Sequence, residues 1–303
     1  MLSECLEALN IKKDGIYVDG TLGGAGHSQE ILKRLNEKGL LIGIDKDDDA
    51  LKVSGERLSK IANNFKTVKS DFKNMIEVLD NLNINKIDGV LLDLGVSSYQ
   101  LDNGERGFSY RFDAPLDMRM DTTKNFSAYN VVNEYSEQEL TRIFYEYGEE
   151  NWSKKIAQNI CLKRVEKPIE TTFELVDIIK NTIPLKKQFE GGHPAKRIFQ
   201  AIRIEVNNEL KNLDTVLKNV AHRLNKGGRI AVITFHSLED RIVKNAFKDL
   251  STGCICPKYF PVCTCNHKQV GKLVNNKPII PSLSEQQENT RSQSAKLRVF
   301  EKI

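Results

Sequence analysis

Four residues, Gly23-Gly24-Ala25-Gly26, stand between a short β-branched run (Ile16–Asp19) and a helical pattern. Glycines at such a junction let the backbone approach a ligand closely. Nineteen residues past Gly26 comes Asp45, which closes a second apolar run, Leu40–Ile44. A carboxylate there can accept hydrogen bonds from both hydroxyls of a ribose. The loop keeps neither the G-x-G-x-x-G spacing of dinucleotide enzymes nor the Lys-Ser/Thr of a phosphate-binding P-loop. The chemistry indicated is nucleoside binding. Ser70-Asp71-Phe72 and Asp93 close two further runs, and open α/β sheets bind their ligands at that edge.

A second group is basic and aromatic. Arg106, Arg111 and Arg119 are interleaved with Phe108, Tyr110 and Phe112. Arginines can take phosphates, and aromatic rings can stack an unpaired base. Lys196, Gln200, Arg203 and Asn207 share one helix face opposite Ile198, Ile202 and Val206, a stripe that reads as a solvated face or an RNA contact. Four of the six cysteines (Cys254, Cys256, Cys263 and Cys265) fall within twelve residues, with Pro257 and Pro261 constraining the loop. Such clustering suits tetrahedral Zn²⁺ more than disulfides, with His267 as a substitute ligand. The C-x-C spacing leaves a reduced, metal-free loop open. Cys5 and Cys161 read as small buried hydrophobes.

The elements that must position these groups follow from the pattern. Strands are expected at Ile16–Asp19, Leu40–Ile44, Phe65–Val68 and Ile87–Leu94, with helices at His27–Asn36, Asp49–Ile61 and Met75–Leu82 between them. Near-continuous apolar strands alternating with helices argue for a parallel sheet covered on both faces. The next strong apolar run is Arg229–Phe235, preceded by a helix at Asn208–Asn225. Between the two blocks lies a helical stretch in which Ser136-x-x-Glu139 and Thr171-x-x-Glu174 form capping boxes and Pro168, Pro184 and Pro194 separate the segments. Residues 1–101 and 208–303 are therefore expected to form one α/β domain, with an inserted helical domain at 102–207.

Composition bounds the rest. The chain has 303 residues, 40% of them hydrophobic and 28% charged, which describes a folded globular chain. No run of eighteen apolar residues occurs, and Met1–Ala8 has neither the basic start nor the apolar core of a signal peptide, so a cytoplasmic protein is expected. A formal charge of +4 permits a nucleic-acid partner without requiring one.

Several blocks together resemble the RsmH (MraW) methyltransferase family. They are Val18–Ser28, Asp93–Asp102, Arg106–Met120, His193-Pro-Ala-Lys-Arg197, Phe235-His-Ser-Leu-Glu-Asp-Arg241 and Ser292–Arg298, which span nearly the whole chain. The match departs at Asn289-Thr-Arg-Ser-Gln, where Asn-Pro-Arg-Ser-Arg is typical. The resemblance implies a class I methyltransferase (Rossmann-like) α/β fold, a mostly parallel sheet with an inserted helical domain for substrate recognition. It implies S-adenosyl-L-methionine as methyl donor, held by Gly24, Ala25, Gly26, His27, Asp45, Phe72, Asp93 and Gln100. It also implies methylation of the exocyclic N4 of a cytidine in 16S ribosomal RNA near the decoding site, on the small subunit or its precursor. No membrane is involved, and a homodimer is left open.

Cytosine N4 is a weak nucleophile, so a group that accepts its proton as the methyl arrives would assist the displacement. The Asp/Asn-Pro-Pro-aromatic solution is absent, because Asp93-Leu-Gly-Val stands in its place. His236 and Asp117 are the candidate acceptors, against the alternatives of a structural histidine and an Asp117–Arg119 pair. Two other functions fit the same residues: methylation of a different nucleic acid or a protein, and RNA binding without catalysis.

Overall fold

The computed structural model describes residues 1–102, 104–188, 192–257, 262–265 and 267–303, and only the backbone of Ser98 and Tyr99. The apolar runs become strands: β1 Ile16–Asp19, β2 Leu40–Asp45, β3 Phe65–Lys69, β4 Ile87–Asp93, β5 Leu224–Thr234, β6 Gly271–Leu273 and β7 Lys296–Lys302. They pair in the order β3-β2-β1-β4-β5-β7-β6. β1 to β5 are parallel, and β7 runs antiparallel to both of its neighbours. This is the mostly parallel α/β sheet expected from the sequence.

Alternation along each strand divides the apolar side chains between two cores. Val18, Ile42, Val90, Leu92 and Val232 face one, which is covered by helices Met75–Asn81, Leu213–Arg223 and Ser237–Ser251. Tyr17, Leu41, Leu91, Ala231 and Ile233 face the other, under helices Leu2–Leu9, Gly26–Leu32 and Asp48–Leu58. Burial on both faces explains why the strands read as unbroken apolar runs. Strand order reverses between β1 and β4, and a crevice opens at the carboxyl ends of strands at such a point. Asp19, Asp45 and Asp93 end β1, β2 and β4 at that edge.

The chain divides into two compact units, Met1–Gly95 with Asn212–Ile303, and Val96–Lys211. The boundaries drawn from the pattern, at 101/102 and 207/208, fall a few residues inside the second unit. Asn208 and Asn212 are both left-handed (φ 52° and 64°), so the chain turns twice after the Lys196–Asn207 helix. The helix before β5 consequently starts at Leu213 rather than Asn208, and β5 begins at Leu224, earlier than expected.

The second unit packs helices Ala128–Glu134, Glu137–Glu146, Ser153–Glu166, Thr172–Thr182 and Lys196–Asn207 around Phe144, Ile160, Leu175, Ile179 and Ile202. Both expected capping boxes form; Ser136 N–H donates to Glu139 Oε2 at 2.8 Å, and Thr171 N–H to Glu174 Oε2 at 3.1 Å. No helix among the described residues is long and apolar enough to cross a membrane.

Candidate functional site

In the first unit the loop after β1 is shaped by two left-handed residues, Gly23 (φ 47°) and Ala25 (φ 59°). For a residue with a Cβ this conformation costs about 1–2 kcal/mol, a strain of the kind that collects at ligand sites. Gly23 N–H donates to Asp45 Oδ2 at 2.7 Å, and Asp47 N–H donates to Oδ1 at 3.0 Å, so Asp45 both fixes the loop and is fixed itself. Burial raises the pKa of Asp45, and those two N–H donors oppose the rise. A Cβ placed on Gly26 would meet nothing within 4 Å, so space stands open where the helix begins.

Beside the loop, Thr21 Oγ1 accepts from Asp93 N–H at 2.6 Å and ties the ends of β1 and β4 together. Asp19 is buried and accepts from Ser28 Oγ at 2.8 Å and Thr21 N–H at 3.1 Å; burial pushes its pKa up to about 6. Asp93 is pushed further, to about 7, first by burial and then by the charges of Asp19 and Glu239. Its Oδ1 is buried with no hydrogen-bond partner, and so is His27 Nε2. His27 Nδ1 lies 3.7 Å from Asp93 Oδ2, but burial lowers the imidazole to about 4, so the ring is neutral and leaves the carboxylate uncompensated.

An unpartnered buried carboxylate oxygen costs about 1–3 kcal/mol or more, a penalty that a bound donor group relieves. Asp19, Asp93 and Glu239 concentrate negative charge here, and that selects a cationic ligand. S-adenosylmethionine, with its sulfonium and ammonium, has the required charge, and its ribose suits Asp45. Phe72 is buried against this edge, where a Cβ on Gly20 would touch both it and Leu92. Lys46 Nζ and Lys73 Nζ lie 3.6 and 3.9 Å from Asp71 Oδ2, which holds the turn before Phe72.

The remaining expected residues make contacts within the fold. Gln100 belongs to the second unit, where its Oε1 accepts from Ser97 N–H at 3.1 Å and its own N–H donates to Ser97 Oγ at 3.2 Å, capping the Ser98–Asp102 helix. Both oxygens of Asp117 are taken by Arg119 (Nε to Oδ1 2.8 Å, NH2 to Oδ2 2.7 Å), and the hydrogen bonds from Arg119 hold its pKa down despite partial burial. Of the two readings open for Asp117, the structure adopts the ion pair, which leaves a poor proton acceptor. His236 caps the Ser237–Ser251 helix; Nδ1 faces Glu239 N–H at 3.5 Å and Nε2 lies 3.2 Å from Glu239 Oε1. His236 Nε2 is buried without a hydrogen-bond partner, as Asp93 Oδ1 and His27 Nε2 are.

Among the arginines of the loop, Arg106 NH2 donates to Arg119 O at 2.8 Å and lies over the buried Phe108 ring, so both are internal. The Lys196 stripe is also structural beyond its first residue. Gln200 donates to Tyr147 O, Arg203 pairs with Glu209, and Asn207 holds Met118 O and Met120 N–H.

The four cysteines converge. Sγ–Sγ separations are 3.5 Å for Cys254–Cys263 and Cys263–Cys265 and 3.8 Å for Cys254–Cys265, and all four sulfurs lie within 4.8 Å of one another. N–H groups of Ile255, Cys256 and Thr264 donate to Cys265, Cys254 and Cys256. His267 is turned away to Gly253 O (2.7 Å) and Asp249 (3.2 Å), which removes it as a substitute ligand. Pro261 lies outside the described residues.

Sequence reasoning missed Asp19, Thr21 and Glu239. Asp19 carried a signal, since it ends its strand as Asp45 and Asp93 end theirs. Glu239 stands at the third position after the cap His236, the place of the acid in a capping box.

The profile of the MraW methylase family matches residues 1–303. The chain belongs to the MraW methylase family. It is 58% identical over 303 residues to a protein of Clostridioides difficile (strain 630) named "Ribosomal RNA small subunit methyltransferase H", covering all of this chain and 97% of that one. Proteins of the same name from Clostridium botulinum (strain Loch Maree / Type A3) and Ruminiclostridium cellulolyticum are 58% and 54% identical over the same shares. Among solved structures, an rRNA methylase from Streptococcus thermophilus is similar at TM-score 0.40 and 12% identity, over 100% of this chain and 93% of that one. The chain is an S-adenosylmethionine-dependent methyltransferase, and the strand-end carboxylates of its first unit suit the cationic donor.

Proposed function

We propose that this enzyme methylates the N4 amine of a cytidine in 16S ribosomal RNA within the small ribosomal subunit or its precursor. The observation that carries the donor half is the buried, unpartnered Oδ1 of Asp93, flanked by Asp19 and Glu239. The RNA half rests on the close relatives named for small-subunit ribosomal RNA.

The donor supplies an electrophilic methyl on sulfur. Asp45 takes the ribose hydroxyls, Asp93 and the Gly24–His27 turn hold the amino-acid end, and Phe72 lies against the base. The second unit, residues 96–211, recognises the substrate, and Gln100 lies at its start. His236 and Asp117 act by position: Glu239 clamps the one and Arg119 the other. His236→Ala and Asp117→Asn should therefore lower turnover without moving the pH profile of kcat. A lost acidic limb in either would make that residue the proton acceptor.

The four thiols hold a Zn²⁺ ion that fixes the 253–267 loop. Four sulfurs at 2.3 Å from one tetrahedral ion stand about 3.8 Å apart, close to the 3.5–3.8 Å among Cys254, Cys263 and Cys265, with Cys256 within 4.8 Å, and N–H donors favour the thiolate form. About one zinc per chain is expected on gently purified protein, and a ratio near zero would exclude the site.

Incubating the enzyme with labelled S-adenosylmethionine and unmodified small subunits tests the whole reading. The label should appear as N4-methylcytidine; label on any other atom would refute the cytidine assignment, and no label at all the RNA one.

A further inference from the structure

Of the six interleaved arginines and aromatics in the second unit, the structure turns Arg106, Phe108 and Arg119 inward. Tyr110, Arg111 and Phe112 remain. Tyr110 lies parallel to His193, ring centroids 4.3 Å apart and planes 6° from parallel. The edge of Phe199, a core residue of the Lys196–Asn207 helix, props Tyr110 at 5.8 Å and 90°. The pair is thus anchored below while both rings stay partly exposed.

His193 is set up as a flat neutral ring. Ala195 N–H donates to its Nδ1 at 3.2 Å, which places the ring proton on Nε2. Burial, with Lys180 and Arg111 nearby, lowers the pKa of the imidazole. Those two cations are exposed, and neither forms an ion pair with a described residue. Next to them the backbone is held rigidly: Thr172 N–H donates to Ala114 O at 2.8 Å, and Thr172 Oγ1 donates to Phe112 O at 2.7 Å. Phe112, carried on that segment, is 50% exposed.

A prebuilt aromatic column beside two uncompensated cations has the chemistry of a single-stranded nucleic-acid site, in which bases extend the stack and phosphates meet the charges. We infer that the Tyr110–His193 stack, with Arg111 and Lys180, binds an unpaired nucleotide of the RNA substrate. The inference rests on the RNA reading of the function. A target base must leave its own stack to be modified, and capture of an unpaired nucleotide here would favour such an opened strand. Stacking tolerates any base, so the site fixes the strand and leaves identity to other contacts.

The test uses the full chain and a fluorescein-labelled ten-nucleotide unpaired RNA, with binding followed by anisotropy across a salt series. Tyr110→Leu should weaken binding about 5- to 100-fold, and Tyr110→Phe should restore it, because the ring and not the hydroxyl does the stacking. The surface double variant Arg111→Ala/Lys180→Ala should lower the slope of log affinity against log salt by about 1.4, two phosphates at about 0.7 each. It serves equally if Tyr110→Leu fails to fold. Unchanged affinity in Tyr110→Leu, equal loss in Tyr110→Phe, or an unchanged salt slope would each overturn the platform. Wild-type enzyme that neither binds the RNA nor methylates small subunits would instead refute the RNA reading itself.

Discussion

The carboxyl edge of the sheet and the Arg106–Met120 loop are both dense in charge, yet their charges are arranged oppositely. At the sheet edge Asp93 keeps a buried oxygen without a partner and His27 a buried nitrogen, while Asp19 and Glu239 add like charge. In the loop, Asp117 and Arg119 take each other bidentately, and Arg106 grips two carbonyls. Buried polar groups are nearly always paired, so Asp93 Oδ1 and His27 Nε2, lying together beside the glycine loop, suit a bound donor that would complete them. The paired ones mark a frame. Motif residues alone do not separate these cases.

Asp93→Asn should break this contrast most visibly. It removes the charge for the donor's ammonium and should weaken donor binding about 10- to 100-fold, the worth of a hydrogen bond to a charged group. The apo protein should gain stability at pH 8. A carboxyl whose folded pKa is raised to about 7 binds its proton better folded than unfolded, so it loses stability as pH climbs from about 4 toward 7, and asparagine has no such loss. Calorimetry and thermal melting read the two effects separately.

Arg119→Ala should act the other way, costing about 1–2 kcal/mol, or roughly 2–8 °C in melting temperature, by freeing Asp117 and the carbonyls of Thr122 and Lys124. Donor affinity should be unchanged. A tenfold loss of donor binding without destabilisation would erase the distinction between frame and site.

Gly26→Ala sharpens it further. The added methyl enters open space and should raise helix stability by up to about 1 kcal/mol, while weakening the donor several-fold if that space is the ligand's. Smallest is the pH effect on the donor itself. If the ionised form of Asp93 holds the cation, as proposed, affinity should rise between pH 6 and 8, by less than tenfold per unit, and level off above the pKa of about 7.

The five parallel strands could be read in the chain because fully buried strands write themselves as apolar runs, and the proposed donor residues Asp45 and Asp93 stood out because they end two of them. β6 and β7 could not. β6 has three residues, and β7 (Lys-Leu-Arg-Val-Phe-Glu-Lys) carries charges that are paired only in three dimensions: Arg298 with Asp240, and Glu301 with Arg229 and Lys272. The basic stripe from Lys196 to Asn207 read as a solvated face because partners such as Tyr147 O, Glu209 and Met118 O lie outside the helix. A period of 3.6 reports which face is polar, not whether that face meets water.

Titration of S-adenosylmethionine into wild-type enzyme and Asp93→Asn at pH 6 and pH 8 bears most directly on the donor site. Wild type should bind more tightly at pH 8 than at pH 6, and the variant should bind weakly with a smaller dependence on pH, that left by Asp19. Equal affinity in the two proteins at pH 8 would contradict the assignment of the donor to the strand-end carboxylates.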